Sequence, residues 1–111
     1  MPKPHAASAA VRRALRKVGA DIREARRRRR LTMSVIADRA FTSRMTLQRI
    51  EAGDPSVGIG IYAAVLQALG LLDGLGRGIE ASADGVGQAL ISAELPKRIR
   101  LRKPGSKSVD G

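Results

Sequence analysis

From Val11 onward the apolar positions recur at helical spacing. Val11, Ala14, Leu15, Val18, Ile22 and Ala25 stand three, one, three, four and three residues apart, which is one stripe of a helix. This predicts a long first helix. Gly19 interrupts the stripe at a cost of about 1 kcal/mol against alanine. A bend or a fresh start is therefore expected there, with Asp21 and Glu24 placed to suit a helix N-terminus. A short second helix follows, with Thr32 as its cap, Val35, Ile36 and Ala40 on its inner face, and Ala37 small enough for a close crossing. After a break at Phe41-Thr42-Ser43, Ser43 caps a third helix over residues 44–52. Its Leu47 and Ile50 face inward, while Arg44, Met45, Gln48 and Arg49 project from other faces. Gly53 ends that helix, and Asp54-Pro55 reinforces the stop.

The fourth helix is expected to start at a Ser56 cap, with Gly58 and Gly60 in its first turn and Ile61, Val65, Leu66 and Leu69 as its apolar face. The two glycines weaken that start, or allow close approach to DNA or to a second subunit. Leu71, Leu72 and Leu75 make a fifth short element among Gly74, Gly76 and Gly78. They either close the monomer core or form a dimer contact. Beyond a linker, Asp84 can start an amphipathic helix carrying Val86, Ala89, Leu90 and Ala93, which Leu95-Pro96 would stop. A strand through residues 88–93 is the weaker alternative. The segment Lys97-Arg98-Ile99-Arg100-Leu101-Arg102-Lys103 alternates basic and apolar residues, and residues 105–111 are expected to be disordered. Few segments alternate with the period of a strand, so the expected class is all-α.

Composition narrows this picture. The 111 residues include two aromatics, Phe41 and Tyr62, and no tryptophan, so the core must be built from small aliphatic side chains. A core of this size is limited, and dimerisation would support it. Without cysteine, a disulfide scaffold, a thiol nucleophile and a Cys-based zinc site are excluded. His5 has no second imidazole to join it, which argues against a His-ligated metal or a Ser-His-Asp triad. No cofactor is expected. No apolar run reaches about 18 residues, so no membrane span is expected. Met1-Pro2-Lys3-Pro4-His5 lacks the apolar stretch of a secretory signal, and the expected setting is the bacterial cytoplasm, with association to the nucleoid.

Charge adds the strongest clue to a partner. Twenty-one Lys and Arg against ten Asp and Glu give a formal net charge of +11. It is unevenly placed: residues 1–30 carry +9, residues 31–95 carry −3, and residues 96–111 carry +5. A nearly balanced unit thus lies between two basic flanks, which can follow a phosphate backbone or clamp an acidic protein. Arg26, Arg27, Arg28, Arg29 and Arg30 are consecutive and point in every direction around the end of the first helix. They are read as a phosphate-contact patch, because adjacent like charges repel unless an anion relieves them. The plainer alternative is a solvated helix end whose cations favour the C-terminal dipole.

Two short helices joined by a turn of about three residues make a helix-turn-helix. The second helix of such a pair fits a major groove about 12 Å wide, where Arg and Gln have donor geometry for guanine and adenine edges. Capping hydroxyls and helix N-termini suit phosphates. A helical hairpin with no DNA role is the alternative.

The run Leu31-Thr32, Ile36-Ala37, Ser43-Arg44, Thr46-Leu47 and Arg49-Ile50-Glu51-Ala52-Gly53 resembles the phage-repressor-like (XRE, Cro/C1-type) regulators. Residues 59–70, ending in Ala68-Leu69-Gly70, resemble their fourth helix. The resemblance covers about residues 14–75. It implies a compact five-helix repressor-like domain with a long basic first helix and a partly disordered basic tail. The expected layout is a flexible N-terminus over 1–10, a DNA-binding domain over 11–78, and a linker, short amphipathic segment and basic tail over 79–111. The resemblance further implies a homodimer on a palindromic operator in double-stranded DNA. Arg44, Met45, Gln48 and Arg49 would read bases, and Thr32, Ser43, Thr46 and Arg26 to Arg30 would contact the DNA backbone. Glu51 would serve structure. Two departures stand out. Phe41 occupies a turn position where the family often has glycine, so the turn is expected to be reshaped with Phe41 filling core space. Met33 stands where the family often has glutamine, which removes a polar contact that the arginine run could replace.

The ending Leu95-Pro96-Lys97-Arg98-Ile99-Arg100, after a repressor-like domain and a long Arg-rich helix, resembles small antitoxins encoded beside HipA-type kinase toxins. That resemblance implies a kinase-toxin partner, with Leu95, Lys97, Arg98, Arg100 and Arg102 as partner-binding residues. From the residues alone, the tail is either a second phosphate contact or a docking segment ordered on binding. A protein-interaction module with secondary DNA binding and a basic RNA-binding protein are the competing classes. The scarcity of aromatics argues against the RNA reading. The scattered acids argue against an enzyme.

Overall fold

In the computed structural model the stripe that begins at Val11 lies on a helix unbroken at Gly19. The structure describes residues 6–80, 82 and 84–99, and for 95–99 the path of the backbone alone. Six helices follow one another: α1 (Ala9–Arg28), α2 (Met33–Arg39), α3 (Arg44–Glu51), α4 (Ile59–Ala68), α5 (Gly74–Arg77) and α6 (Gly85–Ile99). There is no strand among the described residues, and the class is all-α. The chain divides into two units, one up to Leu75 and one from Gly76.

Hydroxyl caps start three of the first four helices. Ser8, Thr32 and Ser43 each accept a hydrogen bond from the backbone N–H three residues on, at Val11, Val35 and Thr46. The fourth helix departs from expectation. Its cap position is Gly58, without a side-chain hydrogen bond, because the Ser56 hydroxyl is engaged with Asp54 and Arg49.

The same four helices end alike. In each, the residue two beyond the C-cap donates its N–H to a carbonyl five residues back: Leu31 to Arg26, Thr42 to Ala37, Asp54 to Arg49 and Leu71 to Leu66. The residue between donates three residues back, and it alone takes a positive φ: Arg30 at 54°, Phe41 at 55°, Gly53 at 79° and Gly70 at 77°. This is a Schellman ending. Two of the four left-handed positions are glycine, as the sequence signalled, and two are not.

Phe41 therefore corrects the sequence reading. The turn is not reshaped, and the ring does not fill the core. It is 97% exposed on a left-handed backbone. For an L-residue that conformation costs about 1–2 kcal/mol, only partly offset by the entropy a glycine would lose on folding. With no packing to lose, Phe41→Gly should raise stability by about 1 kcal/mol, read as a rise in Tm. A fall in Tm would show that the ring is held by contacts within the chain.

The core of the first unit is drawn from four helices and a loop. Ile22 and Ala25 of α1, Ile36 and Ala37 of α2, Leu47 and Ile50 of α3, and Val65 and Tyr62 of α4 are buried together, with Ala40, Val57 and Leu69 from helix ends and loop. Ile36, Leu47, Ile50 and Val65 are the largest side chains fully withdrawn from water. Tyr62 replaces the expected Ile61 on the inner face of α4, and Ile61 is 37% exposed. Met33 packs against the core as a partly buried side chain.

Gly19 is the contact point of α1 with α3. A Cβ there would lie 2.5 Å from the Ile50 carbonyl oxygen and 2.6 Å from that of Glu51. The glycine thus marks a backbone crossing, and α1 runs straight through it for 20 residues. Leu71, Leu72 and Leu75 all remain exposed to a third or more. In the second unit, Asp84 starts α6 as expected, accepting from the Gly87 N–H at 2.9 Å. The helix does not stop at Leu95-Pro96: its backbone continues through both to Ile99. Proline lacks the N–H that would pair with the carbonyl four residues back, so the turn at Pro96 runs one hydrogen bond short.

Candidate nucleic-acid interface

α2 and α3 are joined by residues 40–43 and pack against each other through Ile36, Ala37, Leu47 and Ile50. That packing fixes which side of α3 looks outward. At 100° per residue, Arg44, Gln48, Ala52, Met45 and Arg49 share an arc of roughly 140° on the side opposite Leu47 and Ile50. All five are exposed, Met45 to 72%. Ala52 on this arc was not singled out by sequence reasoning. Its small side chain leaves room for a close approach beside Gln48.

The hydroxyls assigned to the DNA backbone are at helix starts. Thr32, Ser43 and Thr46 are at the N-termini of α2 and α3, where orphan N–H groups and the helix dipole favour anions. The Ser43 hydroxyl also donates to Thr46 Oγ1 at 2.9 Å, so its proton is directed within the chain.

The arginine run does not act as a single patch. Arg26 is turned inward: its Nε lies 2.7 Å from Glu51 Oε2, its Nη2 lies 3.1 Å from Oε1, and its Nη1 donates to the Leu31 carbonyl. The two side chains are 13% and 7% exposed. Arg26 is thus a structural residue tying the end of α1 to α3. Its expected place among the phosphate contacts is corrected. The hydrogen bond that Arg26 donates to Glu51 raises its pKa above the ordinary arginine value, against the opposing effect of burial. Glu51 takes the structural role expected of it. Arg27, Arg28, Arg29 and Arg30 stay exposed. Arg29 donates to the Ala25 carbonyl, and Arg27 sits 3.8 Å from Glu24, a surface pair worth little.

Arg49 is held from the other side. Its Nε lies 2.8 Å from Asp54 Oδ2, and its Nη2 lies 2.7 Å from Ser56 Oγ. Asp54 Oδ1 in turn accepts both the N–H and the hydroxyl of Ser56, a turn closed by an Asp side chain. The Asp54 carbonyl accepts the Tyr62 hydroxyl at 2.8 Å, which anchors this loop to α4. The Arg49 hydrogen bond, with those from Ser56, holds the Asp54 carboxyl down at about 2. Burial, then the nearby Asp54 charge, raises the Tyr62 phenol. Sequence reasoning missed this network. Its signal was the Asp-Pro-Ser turn directly after a helix ending Arg49-Ile50-Glu51.

Leu95, Lys97 and Arg98 fall on the backbone of the last turns of α6, and Arg100 and Arg102 lie outside the described residues, as do residues 105–111. Among the described residues no group of three or more His, Asp or Glu could hold a metal ion, and no helix is long and apolar enough to cross a membrane.

Residues 17–77 match the family model described as a helix-turn-helix domain. The chain belongs to the helix-turn-helix domain family. The matched span opens in the middle of α1 and closes at the end of α5, so it contains both α2 and α3 and all of α4. No curated protein and no solved structure matches the chain significantly. Membership makes this helix-turn-helix protein a DNA-binding protein of the transcription-regulator kind, in a family that is typically non-enzymatic.

Proposed function

We propose that the protein is a sequence-specific repressor that reads a palindromic operator as a homodimer, one α3 per half-site. The observation that carries this reading is the exposed Arg44, Gln48, Met45 and Arg49 arc on a helix anchored by Leu47 and Ile50. Arg44 and Gln48 hold donors suited to guanine and adenine edges, and Met45 offers an apolar contact to a thymine methyl. In a dimer the two α3 helices would sit in successive major grooves, roughly 34 Å apart. Arg27 to Arg30 would add an affinity that is independent of sequence and falls with salt.

The finer part of the proposal is that the repressor is an antitoxin, neutralising a HipA-type kinase toxin and repressing its own operon. Its support is the sequence of residues 95–100 beyond the DNA-binding unit. A free-standing repressor is the alternative. A kinase-like gene beside this one, and a complex of the two products that is lost on truncation after residue 94, would support the antitoxin.

The test is a binding isotherm on the DNA upstream of the gene against a scrambled duplex, at several salt concentrations. A preference of about a thousandfold at physiological salt is expected. Arg44→Ala should cost about 1–3 kcal/mol on the operator and relax the requirement at one base pair per half-site. Equal losses on both duplexes would remove Arg44 from base reading.

A further inference from the structure

Arg49 has the free N–H groups that guanine requires, and they are free because its other edge is occupied. A guanidinium carries five N–H groups in a rigid plane. Asp54 takes the Nε proton and Ser56 one proton of Nη2, at 2.8 and 2.7 Å. What remains are both protons of Nη1 and one of Nη2, and one proton from each nitrogen forms the terminal edge, which matches the O6 and N7 acceptors of guanine. We propose that Asp54 and Ser56 are positioning residues that fix the plane of Arg49 and aim its terminal edge at a guanine in each half-site. This rests on the reading of α3 as the recognition helix.

The pairing also decides between a base and a phosphate as the target. A free arginine is drawn to the nearest phosphate by charge alone. Paired with a carboxylate, Arg49 has its charge balanced locally and keeps its directional donors, which favours neutral base acceptors. With the two side chains 47% and 28% exposed, the ion pair lies near the surface and adds little to fold stability. Its consequence is orientation. The support behind it is rigid: Asp54 is fixed through Ser56, and its carbonyl is tied to Tyr62, which is buried.

The experiment uses the full chain and a randomised duplex library. The selected consensus and each single-base substitution of it are then titrated with wild type, Arg49→Ala, Asp54→Asn and Ser56→Ala. Arg49→Ala should abolish discrimination at one G·C pair per half-site. Asp54→Asn and Ser56→Ala should reduce discrimination about tenfold at that same pair. Affinity for a scrambled duplex should hold or rise with Asp54→Asn, since an anion is removed. In the Arg49→Ala background the Asp54→Asn change should add nothing. Unchanged discrimination at that pair in both clamp variants would overturn the proposal, as would an equal loss at every position. Tyr62 binds the backbone of Asp54, so neither variant removes that anchor, and matching unfolding curves would confirm an intact fold. If the wild type selected no consensus, the recognition reading itself would fail, and the clamp with it.

Discussion

Gly19→Ala should destabilise the protein by about 3 kcal/mol or more, despite replacing a helix breaker with the best helix former. Propensity alone would favour the alanine by about 1 kcal/mol. Against that, the new methyl would meet two carbonyl oxygens at 2.5 and 2.6 Å and the Glu51 carbonyl carbon at 2.9 Å. These are backbone atoms at the end of α3, and no rotamer change can move them aside. Forced overpacking costs typically 1–3 kcal/mol when side chains can adjust, and more when the backbone must. The other side of the crossing is equally close: a Cβ on Gly53 would lie 2.6 Å from both N and Cα of Arg16, at a φ of 79° that already favours glycine. In a domain of this size each 1 kcal/mol moves Tm by about 4–8 °C. The variant should therefore melt at least about 10 °C lower, or fail to fold. A Tm raised by the propensity gain would mean that α1 does not touch α3 at Gly19.

Glu51→Ala should be comparably damaging, by about 3 kcal/mol in urea unfolding. The carboxylate receives two hydrogen bonds from Arg26 where both side chains are largely withdrawn from water. Its removal leaves a guanidinium with only the Leu31 carbonyl as partner. Breaking a buried pair from one side costs about 3–5 kcal/mol, and the small remaining exposure of Arg26 places this case at the lower end. Replacing both residues by methionine should recover most of the loss, since the cost is that of an uncompensated charge. A loss under about 1 kcal/mol for Glu51→Ala would show that Arg26 escapes to solvent and is available to phosphates after all.

The helical spacing of apolar residues made the fold largely legible. Leu47 and Ile50, three apart between Ser43 and Gly53, defined α3, its cap and its end before any coordinates. Two of the misreadings share a cause, a dependence on contacts distant in sequence. Gly19 reads locally as a weakness, and its use emerges only when Ile50 arrives from 31 residues away. Arg26 is indistinguishable by sequence from its four neighbours until Glu51 selects it. Ser56 looked like a cap because Asp54 and Arg49 were not known to compete for its hydroxyl. Phe41 failed differently: its backbone obeys the same ending as Gly53 and Gly70, which overrides the preference of an aromatic residue. The outward arc of α3 was legible as candidates, whereas the orientation of Arg49 was not.

The inward turn of Arg26 and the pairing of Arg49 also bear on how the protein responds to its ionic surroundings. A cation whose charge is already balanced by a carboxylate neutralises no phosphate, so it frees none of the cations condensed on a duplex. Each side chain that does displace ions from DNA steepens the fall of log affinity with log salt by about 0.9. Arg26 and Arg49 leave that slope untouched. The count of 21 Lys and Arg therefore overstates the ionic stoichiometry of binding, and the complex should tolerate rising salt better than that count alone implies.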